Sequence, residues 1–172
     1  MAGKKQFLTV VVDRLLFGVE VEKVQEVIRY QEMTRVPLAF SVVKGLINLR
    51  GQIVTAIDLR RRLGLRERAA TDLPMNVVIR NEDGAVSLLV DEIGDVLEVE
   101  EEAFELPPGT LSGGAREFIR GVYKLNGALL IALDTDKILK WRSFYHHAEF
   151  QQIWRCEFRW VPAECVQKST RI

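Results

Sequence analysis

From Met1 to Tyr145 the chain contains no cysteine and no histidine; Cys156, Cys165, His146 and His147 all lie beyond that stretch. A thiol nucleophile, an imidazole base and nearly every zinc site require one of these side chains, so the main body carries none of those chemistries. The late histidines and cysteines match no standard zinc spacing. Net charge is missing too: 24 basic residues stand against 24 acidic ones, which removes any overall attraction to nucleic acid or acidic membranes. No apolar run is long enough to span a bilayer, so no direct membrane insertion is expected. Met1-Ala2-Gly3-Lys4-Lys5 leads straight into an alternating strand without the apolar segment of a signal peptide, and the cytoplasm is the expected compartment. Neither a P-loop nor a Rossmann fingerprint occurs. Acids are plentiful, but no pattern sets two across a cleft. The expectation is a non-enzyme without cofactor or metal.

What is present is a repeat. Gly45-Leu46-Ile47-Asn48-Leu49-Arg50-Gly51, followed by an apolar run closed by Asp58, predicts a hairpin turning at Arg50-Gly51 and a helical turn after the aspartate. Gly121-Val122-Tyr123-Lys124-Leu125-Asn126-Gly127 and Asp134 repeat it in the same register, and short segments after the aspartates end on Leu63 and Leu139. Upstream, residues 19–28 align with 88–97 at one constant offset. The hairpins have a larger offset, placing extra residues in the loop around Pro107-Pro108-Gly109 and Ser112-Gly113-Gly114. The chain therefore reads as a duplication of one small β unit, roughly 6–66 and 75–141.

Along the chain, 6–12 and 15–19 predict strands around a tight Asp13-Arg14 turn. Val21, Val24 and Val27 fall at helical spacing, which predicts a helical turn over 21–26. Ser41 can cap a short helix or turn over 39–44. A basic helix at 59–63 ends at Gly64, and the aperiodic stretch 66–74 is a linker. A hairpin over 75–90 turns at Asp83-Gly84. The last helix runs from Asp134 to about Trp141. Beyond it an aromatic tail, 142–172, matches nothing in the repeat, although a helix over 148–154 is conceivable. Many short strands with regular turns predict an all-β fold of paired small barrels, since closure removes exposed strand edges.

Asp58 and Asp134 sit where strand gives way to helix, the place of a capping carboxylate. Gly45, Gly51, Gly121 and Gly127 serve turns or close backbone approach. Arg50 is different, because the second copy has Asn126 in its place and a planar, permanently charged guanidinium is favoured at interfaces. Asn48 likewise faces Lys124 in the other copy. The first hairpin reads as specialised, the second as structural. Glu20, Glu22 and Glu26, the acids from Glu98 to Glu105, and the basic Arg60, Arg61, Arg62, Arg66 and Arg68 read as solvated faces, or as patches of opposite sign for two partners.

The pattern Phe17-Gly18-Val19, Val24-Gln25-Glu26-Val27, Pro37, then Val43 to Gly51 and Ile57-Asp58-Leu59, resembles the CheW-type chemotaxis coupling proteins. Leu89-Val90-Asp91, Val96-Leu97 and Ile119-Arg120-Gly121-Val122 look like that family too, and the resemblance covers 6–141. One departure is Thr55, where many members have proline; threonine suits a strand equally. The resemblance implies two five-stranded barrels, SH3-like or OB-like, that exchange strands. It also implies a non-enzymatic adaptor binding two partners, the regulatory domain of the histidine kinase CheA and the cytoplasmic tips of methyl-accepting chemoreceptors. Carried over by motif, receptor binding falls to a groove between barrels with Val24, Glu26, Val27, Gly45, Asn48, Arg50 and Val96. Kinase binding falls to a barrel end with Glu105, Leu106, Pro107, Pro108, Gly109 and Thr110.

Other readings stay open at this point. The same barrels serve as a kinase regulatory domain or as the adaptor half of a receiver-domain fusion; the short N-terminus favours a stand-alone coupler, while the tail leaves room for a fusion. An OB-like barrel can also bind oligonucleotides, but that use needs a basic groove interleaved with aromatics, and nucleic acid is not an expected partner.

Overall fold

Alternating apolar residues commit this chain to strands, and in the computed structural model, which describes residues 3–82, 84–107 and 114–140, they form two sheets. The first half supplies β1 (Lys4–Val12), β2 (Leu15–Glu20), β3 (Val24–Ile28), β4 (Val43–Leu49), β5 (Gln52–Asp58) and the short helix α1 (Leu59–Arg62). The second half supplies β6 (Met75–Asn81), β7 (Gly84–Val90), β8 (Glu92–Glu100), the two-residue β9 (Phe104–Glu105), β10 (Ile119–Leu125), β11 (Ala128–Leu133) and α2 (Thr135–Leu139).

One sheet has the order β8-β1-β2-β11-β10-β9 and the other β3-β6-β7-β5-β4. Each closes on itself through the chain. β8 runs on through a single 3₁₀ turn to β9 at the far edge. The chain leaving β3 reaches Thr34, which exchanges backbone hydrogen bonds of 2.9 and 2.8 Å with Leu46 on β4. β9 and the Thr34 bridge each cover part of an edge strand, β10 in one sheet and β4 in the other. One barrel thus has a sixth strand, β9, where the other makes do with a one-residue bridge.

The two orders become identical when each strand is replaced by its partner in the repeat. Parallel pairing joins β11 to β2 and, equivalently, β5 to β7. Register breaks fall between Val43 and Gly45 and between Ile119 and Gly121. Val27 lies opposite Val77, and one repeat on Val96 lies opposite Leu8. The exchange is visible in β3, which pairs with β6 rather than β1, and in β8, which pairs with β1. One barrel consequently runs continuously through 24–90, and the other is assembled from both flanks of that stretch.

Each barrel buries its own core. Phe7, Val99, Tyr123, Leu130 and Ala132 fill one, with the Phe7 and Tyr123 rings 5.4 Å apart. Ile47, Val54, Val78 and Ala85 fill the other. Ser87 and Asn76 are fully buried but satisfied: the Ser87 hydroxyl donates to Asn76 Oδ1 at 2.9 Å, and Asn76 Nδ2 donates to the Arg29 carbonyl at 3.0 Å.

One local expectation fails and one is met in its shorter form. The helical turn over 21–26 shrinks to a 3₁₀ turn at Val21–Lys23, and Val24 onward is strand. A bulge between Val24 and Glu26 inserts one residue into the period-2 pattern, so the valines fall three apart and imitate a helix. Over 39–44, where the sequence predicts a short helix or a turn, the turn forms: the Val43 N–H donates to the Phe40 carbonyl at 2.9 Å. Leu38 takes a left-handed φ of 58°, Val43 already pairs with Ile57, and the Val42 carbonyl accepts the Asp58 N–H at 2.9 Å. The strand ladder outcompetes a helix too short to nucleate. The last helix ends at Leu139. Trp141 and the tail 142–172, with its conceivable helix at 148–154, lie outside the described residues.

Candidate functional site

The β4–β5 hairpin carries the most distinctive surface. Arg50 and Gly51 both adopt left-handed backbone, φ 52° and 86°, the turn whose twist matches that of the flanking strands. Glycine accepts such a φ freely; arginine does so at a cost. Asn48 braces the turn by accepting the Gly51 N–H on its Oδ1 at 2.8 Å. The Arg50 side chain is 87% exposed, yet its guanidinium lies 3.2 Å from Glu26, whose side chain is 20% exposed. That pair ties the hairpin tip to β3. Being exposed on one side it adds no more than about 1 kcal/mol of stability, so its effect is to hold Arg50 in one orientation.

The same strands carry half-exposed apolar side chains: Val27 follows Glu26 on β3, and Ile53 sits directly across the ladder from Asn48. Val24 is partly buried at the start of β3. Gly45 has a different task. A Cβ there would lie 2.7 Å from the Thr34 carbonyl oxygen, so glycine is what lets the Thr34 bridge form against β4. Gly121 does the same in the other barrel, where a Cβ would meet the Glu105 carbonyl at 2.7 Å and the Phe104 ring.

The structure brings Glu26, Val27, Asn48 and Arg50 onto one barrel end, and it puts Val96 on the other barrel. Val96 is the repeat counterpart of Val27 and is equally exposed; Leu129, the counterpart of Ile53, is exposed to the same degree. Both copies therefore show water the same two apolar positions. Ile53 and Leu129 escaped the sequence reading because each belongs to an apolar run that reads as core. The available signal was the hairpin register: each sits one residue past the start of its strand, where the tip projects beyond the barrel.

Of the second set, Glu105 lies on β9 opposite Val122 and pairs with Lys124 at 2.7 Å. Leu106 is strongly exposed and Pro107 partly buried. Pro108, Gly109 and Thr110 lie outside the described residues.

Both aspartates cap as expected: Asp58 Oδ1 accepts the Arg60 N–H at 3.0 Å, and Asp134 Oδ1 the Lys137 N–H at 3.1 Å. The basic run is not simply a solvated face. Where the chain crosses from β7 to β8, Asp91 accepts Arg60 Nη2 at 2.5 Å, Arg68 Nη2 at 2.7 Å and the Asp13 N–H at 2.7 Å. Burial pushes the Asp91 carboxyl up, but hydrogen bonds from Arg60, Asp13 and Arg68 outweigh it and hold the group below its ordinary value. The hydrogen bond to Asp91 in turn raises Arg60. The other crossing, β2 to β3, is pinned with the signs reversed. Lys23 meets Asp136 at 2.6 Å, Glu20 pairs with Arg120, and Asp136 holds the place in α2 that Arg60 holds in α1. Arg62 lies with its guanidinium 4.3 Å from the centre of the Phe118 ring, and burial lowers its pKa.

Among the described residues, no helix is long and apolar enough to cross a membrane. A family model described as CheW-like domain matches residues 6–143. The chain is 31% identical over 137 residues to the chemotaxis protein CheW of Treponema pallidum, covering 77% of this chain and 81% of that one. It is 33% identical over 123 residues to the CheW of Bacillus subtilis, covering 72% and 79%. Among solved structures it is similar to the scaffolding protein TtCheW from Thermoanaerobacter tengcongensis, with a TM-score of 0.69 and 25% identity over 78% of this chain and 86% of that one.

Proposed function

The chain belongs to the family of CheW-like domains, and from that premise we propose that it is a cytoplasmic, non-enzymatic adaptor coupling chemoreceptor tips to the histidine kinase CheA. The observation that carries this reading is the hairpin tip: an exposed Arg50, oriented by Glu26, beside the exposed Val27 and Ile53. An amphipathic receptor helix laid against this end would bury its apolar face on the valine and isoleucine, with Arg50 fixing its direction through polar contacts. Val24, Gly45 and Asn48 support that surface from behind, and Val96 presents the matching position on the second barrel. The kinase regulatory domain, itself built of similar barrels, would dock on the end marked by Glu105, Leu106 and Pro107, together with Pro108, Gly109 and Thr110. Bridging two partners raises the effective concentration of kinase at the receptor without any chemistry. In this reading the two sequence repeats, 6–66 and 75–141, are copies of one ancestral barrel that exchanged their third strands.

The test is a pull-down with a receptor cytoplasmic fragment. Arg50→Ala should weaken receptor capture while leaving the melting temperature nearly unchanged and binding to free CheA regulatory domain intact. Undiminished capture by that variant removes the assignment of the hairpin tip. Failure of the parent chain to bind the regulatory domain removes the coupler and favours a kinase-derived piece.

A further inference from the structure

The end of β4 opposite the hairpin tip holds a second surface that the adaptor reading leaves unused. Lys44 and Arg50 are six residues apart on an extended strand, roughly 20 Å. Between the segment 30–44 and the linker 68–74 lies a cavity of about 540 Å³, the size of a ligand or side-chain anchor site. Its walls are fixed. Arg61 Nη1 donates to the Ser41 carbonyl at 2.9 Å, the Thr34 bridge holds the segment to β4, and Arg68 anchors the linker to Asp91.

The cavity gathers exposed apolar side chains among its polar ones. Four of the ten exposed large hydrophobic side chains, Tyr30, Leu38, Phe40 and Leu73, line this one cavity. Leu38 is 95% exposed and Leu73 64%. Leu38 also holds the left-handed φ of 58° that a leucine adopts only with strain, and it gains no burial within the chain for doing so. Strain at an exposed apolar residue marks a site kept for something outside the fold.

The charge around the mouth is one-sided. Arg35 and Lys44 line it, and neither has an ion-pair partner among the described residues, whereas Asp72 is the one lining carboxylate. Arg61 and Arg68 are already neutralised by Glu67 and Asp91.

We propose that this cavity is a third docking site, which takes an acidic peptide segment of a protein partner with a bulky apolar side chain inserted between Leu38 and Leu73 and flanking carboxylates on Arg35 and Lys44. A free small molecule would fill the cavity yet leave the exposed rim uncovered; a peptide covers both. The preformed walls keep the ordering cost low.

The probe is a fluorescein-labelled octapeptide, Ser-Glu-Asp-Leu-Phe-Glu-Asp-Ser, titrated by anisotropy against the full chain. Its controls replace Leu-Phe by Ser-Ser, or every acid by lysine. The parent peptide should bind, and both controls should bind at least about tenfold more weakly, as should Leu38→Asn and the double variant Arg35→Glu/Lys44→Glu. Asparagine tolerates left-handed backbone, so Leu38→Asn should melt no lower than the parent chain and its loss of binding cannot be blamed on unfolding. Arg50→Ala should bind the probe unchanged, which separates this site from the receptor surface. Equal binding of all three peptides overturns the proposal, as does indifference to both variants. So does a concentration-dependent dimer abolished by Leu38→Asn, which would make the occupant a second copy of the chain.

Discussion

Replacing Asp91 by alanine removes the counter-charge from two guanidiniums that water reaches poorly: the side chains of Arg60 and Arg68 are 12% and 9% exposed. It also strips the Asp13 N–H of its 2.7 Å acceptor. Breaking a buried pair by deleting one partner costs about 3–5 kcal/mol, because the other charge stays behind uncompensated. Two carboxylates remain nearby, Asp13 at 3.5 Å from Arg60 and Asp58 at 3.6 Å from Arg68, so the lower end, about 3 kcal/mol, applies. For a chain of this size that lowers the melting temperature by about 6–12 °C. Urea unfolding of the full chain at neutral pH measures it directly. The sign of the pH dependence follows from the depressed Asp91 pKa. A carboxyl whose folded value lies below its unfolded one contributes stability that is fully present above the unfolded pKa and disappears as pH falls through the folded one. The gap between the parent chain and Asp91→Ala should therefore hold from pH 7 to about 5 and narrow below about 4. A neutral-pH cost under about 1 kcal/mol, the value of an exposed pair, would refute the reasoning. So would a gap that persists undiminished at the lowest pH at which the chain still folds.

The sign-reversed pins at the other crossing are more exposed, Lys23 and Asp136 at 25% and 59%, so Asp136→Ala should cost under about 1 kcal/mol in the same unfolding assay. Gly45→Ala should destabilise by about 1–3 kcal/mol, because its Cβ would press on the Thr34 carbonyl, backbone that cannot step aside; a neutral result in thermal denaturation would deny the bridge its structural weight. Arg50→Gly should stay within about 1 kcal/mol of the parent stability, because relief of the left-handed φ offsets the lost Glu26 pair, while weakening receptor capture as Arg50→Ala does. Asn48→Ala should lower stability by about 1 kcal/mol through loss of the brace on Gly51.

The hairpins, their turns and the capping aspartates were legible because each rests on short-range chemistry: an alternating run, a glycine at a left-handed position, a carboxylate two or three residues before the N–H that it accepts. The duplication was legible for the same reason, since local patterns survive copying. Where the reading of 21–26 failed, one inserted residue had shifted the phase of a strand; over 39–44 only the turn forms and not the helix, because pairing partners distant in sequence take up Val43. The basic run 60–68 looked like a solvated face because nothing near it announces Asp91.

The sequence by itself determined that this chain is all-β, carries one pattern twice, and has neither thiol nor imidazole in its main body. Which strand of each copy joins which barrel was decided only in three dimensions, and so were the placing of Asp91 between Arg60 and Arg68 and the gathering of Tyr30, Leu38 and Leu73 around one cavity. Strand alternation specifies which face of a strand is buried but not its neighbour, and ion pairs form between residues the fold brings together, whatever their separation along the chain.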